Sequence, residues 1–281
     1  MRTSAPGIAI KSKNTRMGLS KSTQNKLFTT GYIAKGVVYS LIGIFALIGV
    51  IGSAGSGGSW GPKTVIDWIG SNPFGNILLF LIGLGLLAYC SWRWYTAVKD
   101  KENEGSDKEG VAKRIGYAVS GTAYGVLSVY AFKLALGSGG GGGEQSKQDI
   151  IAQILAKSWG PYVVGLIALI MAGVAIFQLY RALKDKHMEG IKGLQLSEEQ
   201  RETFEKTGEV GLTARFVVYG IISYFLFRAA LMDDPSQFKG IGESLAYIGD
   251  QAYGQVLLAI VGLGLLAYGL FMFIRAKYER V

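Results

Sequence analysis

Six blocks of apolar residues alternate with polar segments along the chain. Each block is about 19 to 25 residues long, which is enough for a helix to cross a hydrocarbon core of roughly 30 Å. The blocks cover approximately residues 31–51, 74–98, 114–136, 162–183, 214–232 and 254–278. The pattern predicts an all-α, polytopic membrane protein with six transmembrane helices.

The six blocks are three copies of one two-helix unit. A shift of 85 residues places Tyr39 on Tyr124, and a further shift of 95 residues reaches Tyr219. The run Gly-Leu-Gly-Leu-Leu-Ala-Tyr occurs at 83–89 and again at 262–268. We therefore predict repeat 1 over 31–100, repeat 2 over 112–186 and repeat 3 over 212–281. Because each repeat crosses the membrane twice, all three run parallel.

Within each unit, a Gly-rich stretch and a short amphipathic segment separate the two long helices. The amphipathic segments cover residues 63–69, 148–157 and 241–248. Their apolar spacing is helical, so they either lie on the membrane surface or pack over one end of the bundle. We expect them in the outer loops.

The remaining polar segments are a basic N-terminus and one long connection. We expect residues 1–30 to form a disordered cytoplasmic tail, with a signal peptide over 1–52 as the weaker alternative. In the linker over 187–211, Ser197 and Gln200 have the spacing of a capping box, which predicts a short cytoplasmic helix. That linker is either a spacer or an interaction surface.

The distribution of positive charge predicts the orientation. All but six of the 29 Lys and Arg residues fall in the N-terminal tail, the loops between repeats and the adjoining helix ends. The six others are Lys63, Lys133, Lys147, Lys157, Arg228 and Lys239. Positive residues collect on the cytoplasmic side, so we expect both termini there and the protein in the plasma (inner) membrane.

Composition excludes several classes of site. The single cysteine, Cys90, allows no internal disulfide, and with one histidine, His187, neither a zinc site nor a bis-histidine haem is credible. No nucleotide-binding or catalytic-triad pattern occurs. We attribute the net charge of +9 to basic residues that orient the protein in the membrane, and we expect no nucleic-acid binding. We expect no enzymatic activity, no cofactor and no metal. The six blocks also contain no Asp or Glu, which disfavours proton-driven or sodium-driven transport.

Small residues and tyrosines mark candidate helix contacts. Glycines let transmembrane backbones approach closely, and we expect the pairs at 83/85 and 262/264 to pack the two helices within a repeat. Tyr39, Tyr124 and Tyr219 need partners for their hydroxyls, so interhelical hydrogen bonds are favoured over substrate contacts. The candidate packing residues are Gly36, Gly121, Gly125, Gly83, Gly85, Gly262 and Gly264.

Basic residues recur at two positions inside the blocks. Lys35 and Arg215 align one turn inside the cytoplasmic ends, where snorkelling to inner phosphates explains them. Lys133 and Arg228 align near the outer ends, where positive charge is disfavoured. They are candidate contacts for an anion or a lipid. The alternatives are outer phosphates or the carbonyls at the helix C-termini.

Two motifs resemble a known bacterial family. The segment Ala-Arg-Phe-Val-Val-Tyr-Gly at 214–220, with Arg-Ala-Ala-Leu at 228–231, is similar to a domain of unknown function. That domain occurs as three tandem two-helix repeats in integral membrane proteins. Asn-Pro-Phe-Gly at 72–75, followed by the 83–89 run, resembles its second-helix motif. The first repeat departs from the pattern, with Ile48 at the position of Lys133 and Arg228. The resemblance implies the fold but no activity.

Two functions remain open on these grounds. The first is a non-enzymatic scaffold or accessory subunit, with a protein partner not identified by the sequence. The alternative is a passive channel or carrier for an anion or an anionic lipid. An axis filled with Leu, Ile and Gly favours the scaffold, whereas a polar axis lined by symmetry-related residues favours the alternative. In both cases the lipid bilayer is a partner.

Overall fold

The protein folds as a helical bundle that follows the predicted three-repeat plan. A computed structural model describes residues 19–51, 62–137, 145–191, 194 and 196–279. The basic residues before Ser20 and the glycine runs at 52–61 and 139–143 lie outside the described residues. The described helices are α1 Lys21–Ile51, α2 Pro62–Gly70, α3 Gly75–Lys99, α4 Lys108–Ala135, α5 Gln145–Leu155, α6 Gly160–Leu183, α7 Glu198–Met232, α8 Ile241–Gly249 and α9 Gly254–Tyr278.

Six of the described helices are long and apolar enough to cross a membrane: α1, α3, α4, α6, α7 and α9. This confirms the predicted all-α class and the six membrane-spanning segments. Helices α1 and α9 lie side by side where the chain enters and leaves the bundle, with the Thr29 hydroxyl 3.4 Å from the Ala276 carbonyl oxygen. We call this end the terminal side and the opposite end, which carries α2, α5 and α8, the loop side.

The second long helix of each repeat begins with the same tight turn. Gly75, Gly160 and Gly254 each donate their backbone N–H to the carbonyl three residues earlier, at 2.7–2.8 Å. A side chain at any of the three would collide with the backbone of the preceding short helix. The glycine that opens each second helix is therefore a steric requirement of the turn.

The long helices form a ring in the order α1, α3, α4, α6, α7, α9. Between repeats, one helix presents a small residue to a carbonyl of its neighbour. The Ser128 hydroxyl donates to the Gly83 carbonyl at 2.8 Å, and the Ser223 hydroxyl donates to the Ala168 carbonyl at 2.9 Å. At the third interface, Gly43 lies against the carbonyl of Gly262. The three interfaces between repeats therefore share the same contact, in which a small residue at one symmetry-related position lies against a backbone carbonyl.

The predicted packing glycines all lie at helix contacts, but not always at the contacts expected. Gly85 packs on Ala34 and Gly264 packs on Ala214, both within a repeat. Gly83 and Gly262 instead contact Phe132 and Ala46 of neighbouring repeats, so the within-repeat prediction was wrong for them. Residues two apart on a helix lie about 200° apart around its axis, so they face different neighbours. The other glycines contact helices across repeats: Gly36 packs near Phe273, and Gly121 and Gly125 pack near Cys90.

The second repeat lacks the close pairing of the other two. At the positions of Ala34 and Gly85 it has Val119 and Ile170, which are 62% and 58% exposed. Branched side chains prevent the close backbone approach that small residues permit. Among the described residues, α4 and α6 accordingly do not pack along each other. We call the resulting gap in the ring the α4–α6 opening.

The short amphipathic helices occur where predicted and pack on the loop side of the bundle. Their buried large apolar side chains are Ile66 and Ile69 in α2, Ile151 and Leu155 in α5, and Leu245 and Ile248 in α8. Of the two predicted arrangements, the structure therefore shows the one in which these helices cover one end of the bundle.

Two predicted boundaries on the terminal side were wrong. Helix α1 already begins at Lys21, because Ser20 accepts a hydrogen bond from the Thr23 backbone and starts the helix inside the expected tail. The capping box of Ser197 and Gln200 is present. It does not start a separate short helix, however, because α7 continues without a break from Glu198 into the bundle.

Candidate functional site

Three symmetry-related tyrosines meet at the centre of the ring. Tyr39, Tyr124 and Tyr219 occupy the same position on α1, α4 and α7. The Tyr124 hydroxyl donates to the Tyr39 hydroxyl at 3.2 Å, and the hydroxyls of Tyr39 and Tyr219 lie 3.3 Å apart. The three long helices that open the repeats thus contact one another through their phenol groups.

Two cations lie beside these tyrosines, where the sequence predicted snorkelling side chains. That prediction was wrong, because Lys35 and Arg215 are only 4% and 8% exposed. Each precedes an inward-facing tyrosine by four residues and so shares its helix face. Lys35 Nζ donates to the Tyr89 hydroxyl at 3.0 Å, and Arg215 donates to the Tyr268 hydroxyl at 2.6 Å and to the Tyr219 hydroxyl.

Tyr89 and Tyr268 are site residues that sequence reasoning missed. They end the two identical runs, and the second repeat has Val174 at the same position. That repeat also has Ser120 in place of the cation, so the cation and its tyrosine are lost together. This joint loss in the second repeat was a sequence signal that the cation and the tyrosine contact each other in the other two repeats. A further cation, Arg93, donates from Nε to the Tyr89 hydroxyl at 3.0 Å.

Aromatic rings surround the cations. Lys35 Nζ lies 4.8 to 6.0 Å from four tyrosine ring centres, and the Arg215 guanidinium lies 4.5 to 5.5 Å from three. Such distances are typical of cation–π attraction. We define the tyrosine–cation cluster as Lys35, Arg93, Arg215, Tyr39, Tyr89, Tyr124, Tyr219 and Tyr268.

The cluster carries positive charge without a carboxylate partner. In the described part of the chain, no Asp or Glu forms an ion pair with Lys35, Arg93 or Arg215. Nearer the terminal side the situation differs, because the Arg275 guanidinium holds the Glu279 carboxylate at 2.6 Å. Within the cluster, Arg215 Nε is buried and has no hydrogen-bond partner among the described residues.

The structure does not bring Lys133 and Arg228 into one site. They belong to α4 and α7, which are not neighbours in the ring. Lys133 is exposed, and the Arg228 guanidinium lies 3.8 Å from the sulfur of Met232 on its own helix. The nearby carboxylate of Asp234 is engaged locally: hydrogen bonds from Gln237 and Ser236 lower its pKa.

Comparison with known proteins agrees with the three-repeat architecture. The family described as Domain of Unknown Function (DUF1206) matches three times, over residues 30–100, 115–185 and 210–279. An uncharacterized protein of Bacillus subtilis, YxxB, is 30% identical over 254 residues, covering 89% of this chain and 90% of that protein. No solved structure is significantly similar. The chain therefore belongs to the DUF1206 family, with one copy of the domain in each two-helix repeat.

Proposed function

We propose that this protein binds an oxyanion inside the membrane, at the tyrosine–cation cluster. The observation that supports this is the burial of Lys35 and Arg215, with Arg93 beside them, in the absence of any described carboxylate partner. Removing an uncompensated charge from water costs several kcal/mol, roughly, so buried charges are normally paired. A bound anion supplies the missing negative charge.

The donors in the cluster suit an oxyanion. Arg215 offers a free Nε, and the guanidinium fork matches phosphate and carboxylate groups. The contacts that join Tyr39 to Tyr124 and Tyr219, at 3.2 and 3.3 Å, are long for O–H···O bonds, which are usually about 2.7–2.8 Å. An oxyanion that accepts these hydroxyl protons replaces weak bonds with stronger charge-assisted ones.

This proposal favours the carrier alternative over the scaffold. At the level of the cluster, the axis is lined by the symmetry-related tyrosines rather than by Leu, Ile and Gly. Towards the loop side the core becomes apolar, with Ile42, Phe45 and Ile222 buried next to the cluster. A buried apolar core beyond the cluster favours a binding site over an open pore. We accordingly propose a non-enzymatic binding or carrier protein.

We also propose that the terminal side faces the cytoplasm of a bacterial inner membrane, because most Lys and Arg residues lie at that end. Reporter fusions after Gly105 and Gly190 should then report the cytoplasm, and a fusion after Ser236 should report the other compartment. A cytoplasmic signal from the Ser236 fusion would contradict this orientation.

Dimethyl phosphate, a soluble phosphodiester monoanion, tests the binding proposal. Added to the purified protein in a neutral detergent, it should raise the thermal unfolding temperature in a saturable way, because ligands that bind only the folded state stabilise it. Lys35→Met and Arg215→Met should each abolish this increase, whereas Lys133→Met should retain it. No increase for the unmodified protein, or an equal increase in Arg215→Met, would refute the site.

A further inference from the structure

The α4–α6 opening exposes a face that the other repeats bury. In repeats 1 and 3, Gly31 and Gly211 each allow the second helix to approach so closely that a Cβ atom would lie 2.6 Å from the backbone of Tyr89 or Tyr268. The equivalent glycine of repeat 2 is Gly116, and nothing lies within 4 Å of the Cβ position there. The packing surface of α4 is present, but α6 does not pack against it.

The walls of the opening are apolar. On α4, Val119 is 62% exposed, and on α6, Ile170 and Phe177 are 58% and 43% exposed. The residues at the position of Phe177 in repeats 1 and 3, Trp92 and Phe271, are only 0% and 1% exposed. An apolar cleft between two membrane helices is complementary to a lipid chain.

The opening leads to the tyrosine–cation cluster. Small or short side chains stand where repeats 1 and 3 have cluster residues, with Ser120 at the position of Lys35 and Val174 at that of Tyr89. Tyr124 and Tyr219 are half-buried, whereas Tyr39, at the same position on α1, is buried. The side of the cluster that belongs to repeat 2 is therefore the side that is accessible.

We propose that an acidic phospholipid occupies the opening, with an acyl chain between α4 and α6 and its phosphate at Lys35 and Arg215. This inference rests on the proposed oxyanion site and identifies its ligand. Charge complementarity supports it, because no described carboxylate pairs with the cations of the cluster and the apolar opening lies beside them. Arg181 in the last turn of α6 and Lys184 directly after it add positive charge at the terminal end, where acidic lipid headgroups are attracted.

Other occupants fit the opening less well. A second copy of the chain or an apolar protein helix covers Val119 and Ile170 but brings no negative charge to Lys35 and Arg215. A free inorganic anion supplies the charge but leaves the apolar walls uncovered. An acidic phospholipid does both with one molecule.

The substitution Gly116→Phe tests the opening because no atom lies within 4 Å of its Cβ position, so a large side chain fits there and takes the space of the acyl chain. The matched control is Ile176→Phe on α6, at a residue that is 63% exposed and about 120° around the helix from Ile170. Native mass spectrometry would count phosphatidylglycerol and phosphatidylcholine retained by each purified variant during titration in detergent micelles.

We expect the unmodified protein and Ile176→Phe to retain one phosphatidylglycerol in preference to phosphatidylcholine, and Gly116→Phe to bind it at least about tenfold more weakly. Dimethyl phosphate should still stabilise Gly116→Phe, since the cluster itself is intact. Equal retention by Gly116→Phe, no preference for phosphatidylglycerol, or a dimer that Gly116→Phe dissociates would each overturn the lipid assignment. If dimethyl phosphate fails with the unmodified protein, the oxyanion site itself is wrong.

Discussion

Tyr89→Phe is expected to destabilise the protein strongly, because its hydroxyl serves two cations. The Tyr89 hydroxyl accepts hydrogen bonds from both Lys35 and Arg93, each at 3.0 Å. Hydrogen bonds to charged groups contribute about 1.5–3 kcal/mol each, so we expect a loss of about 3 kcal/mol or more. The phenyl ring of the variant preserves packing and cation–π attraction. Thermal or denaturant unfolding in detergent measures the loss.

Tyr124→Phe is the matched control for this experiment. The Tyr124 hydroxyl donates only to Tyr39, at 3.2 Å, and interhelical hydrogen bonds of this kind contribute about 0.6 kcal/mol on average. A small effect is therefore expected. If the two variants lost equal stability, Tyr89 would not be the main acceptor for the buried cations.

Arg215→Met is expected to affect stability and binding in opposite directions. Without a bound anion, the buried Arg215 charge is uncompensated. The variant loses the hydrogen bonds of Arg215 to Tyr219 and Tyr268, but it also loses the desolvation penalty of a buried charge, which is roughly several kcal/mol and offsets that loss. We therefore expect the ligand-free variant to unfold at the same temperature as the unmodified protein or higher. At saturating dimethyl phosphate the order should reverse, because only the unmodified protein binds the anion.

Parallel unfolding scans with and without the ligand give this comparison. A large loss of stability in the ligand-free Arg215→Met variant would mean that the charge is compensated inside the protein, by a phenolate of the cluster. Tyrosinate absorbance near neutral pH would then be independent evidence for that phenolate, and the oxyanion proposal would fail.

The sequence was sufficient for the architecture because the relevant signals are local and repeated. Apolar length predicts the six long helices, and the shifts that superimpose Tyr39, Tyr124 and Tyr219 predict three equivalent units. Even the start of α7 was readable from Ser197 and Gln200. The continuity of α7 was not predicted. Its polar start and its membrane segment are separated by no proline, and Gly208 and Gly211 are accommodated because they pack closely against His187 and Tyr268.

The site was harder to predict because it depends on which helix face points inward. Lys35 and Arg215 are long basic residues near the ends of membrane helices, where such side chains usually snorkel. Only their i,i+4 spacing to Tyr39 and Tyr219 indicates burial. The opening was equally hard to predict, because Val119 and Ile170 are common residues in membrane helices. They indicate a missing helix contact only when they are compared with the Ala and Gly at the same positions of the other repeats.

His187 shows a third limit of sequence reasoning. It is the first residue of the polar connection that was predicted as a cytoplasmic linker over 187–211. Its ring is instead buried, with the two nitrogens 3.0 and 3.1 Å from the carbonyl oxygens of Arg181 and Glu205. The ring lies against Gly208, so its burial depends on the long α7 that the sequence did not predict as continuous.

The most direct test of the central claim is the mass of the ligand carried by the protein when it is extracted from its own membrane. Native mass spectrometry would compare the unmodified protein with the Lys35→Met/Arg215→Met and Lys133→Met/Arg228→Met double variants. We predict one bound acidic ligand on the unmodified protein and on the second variant, and none on the first. The same ligand on all three proteins, or its loss only from the Lys133→Met/Arg228→Met variant, would contradict an anion site at the tyrosine–cation cluster.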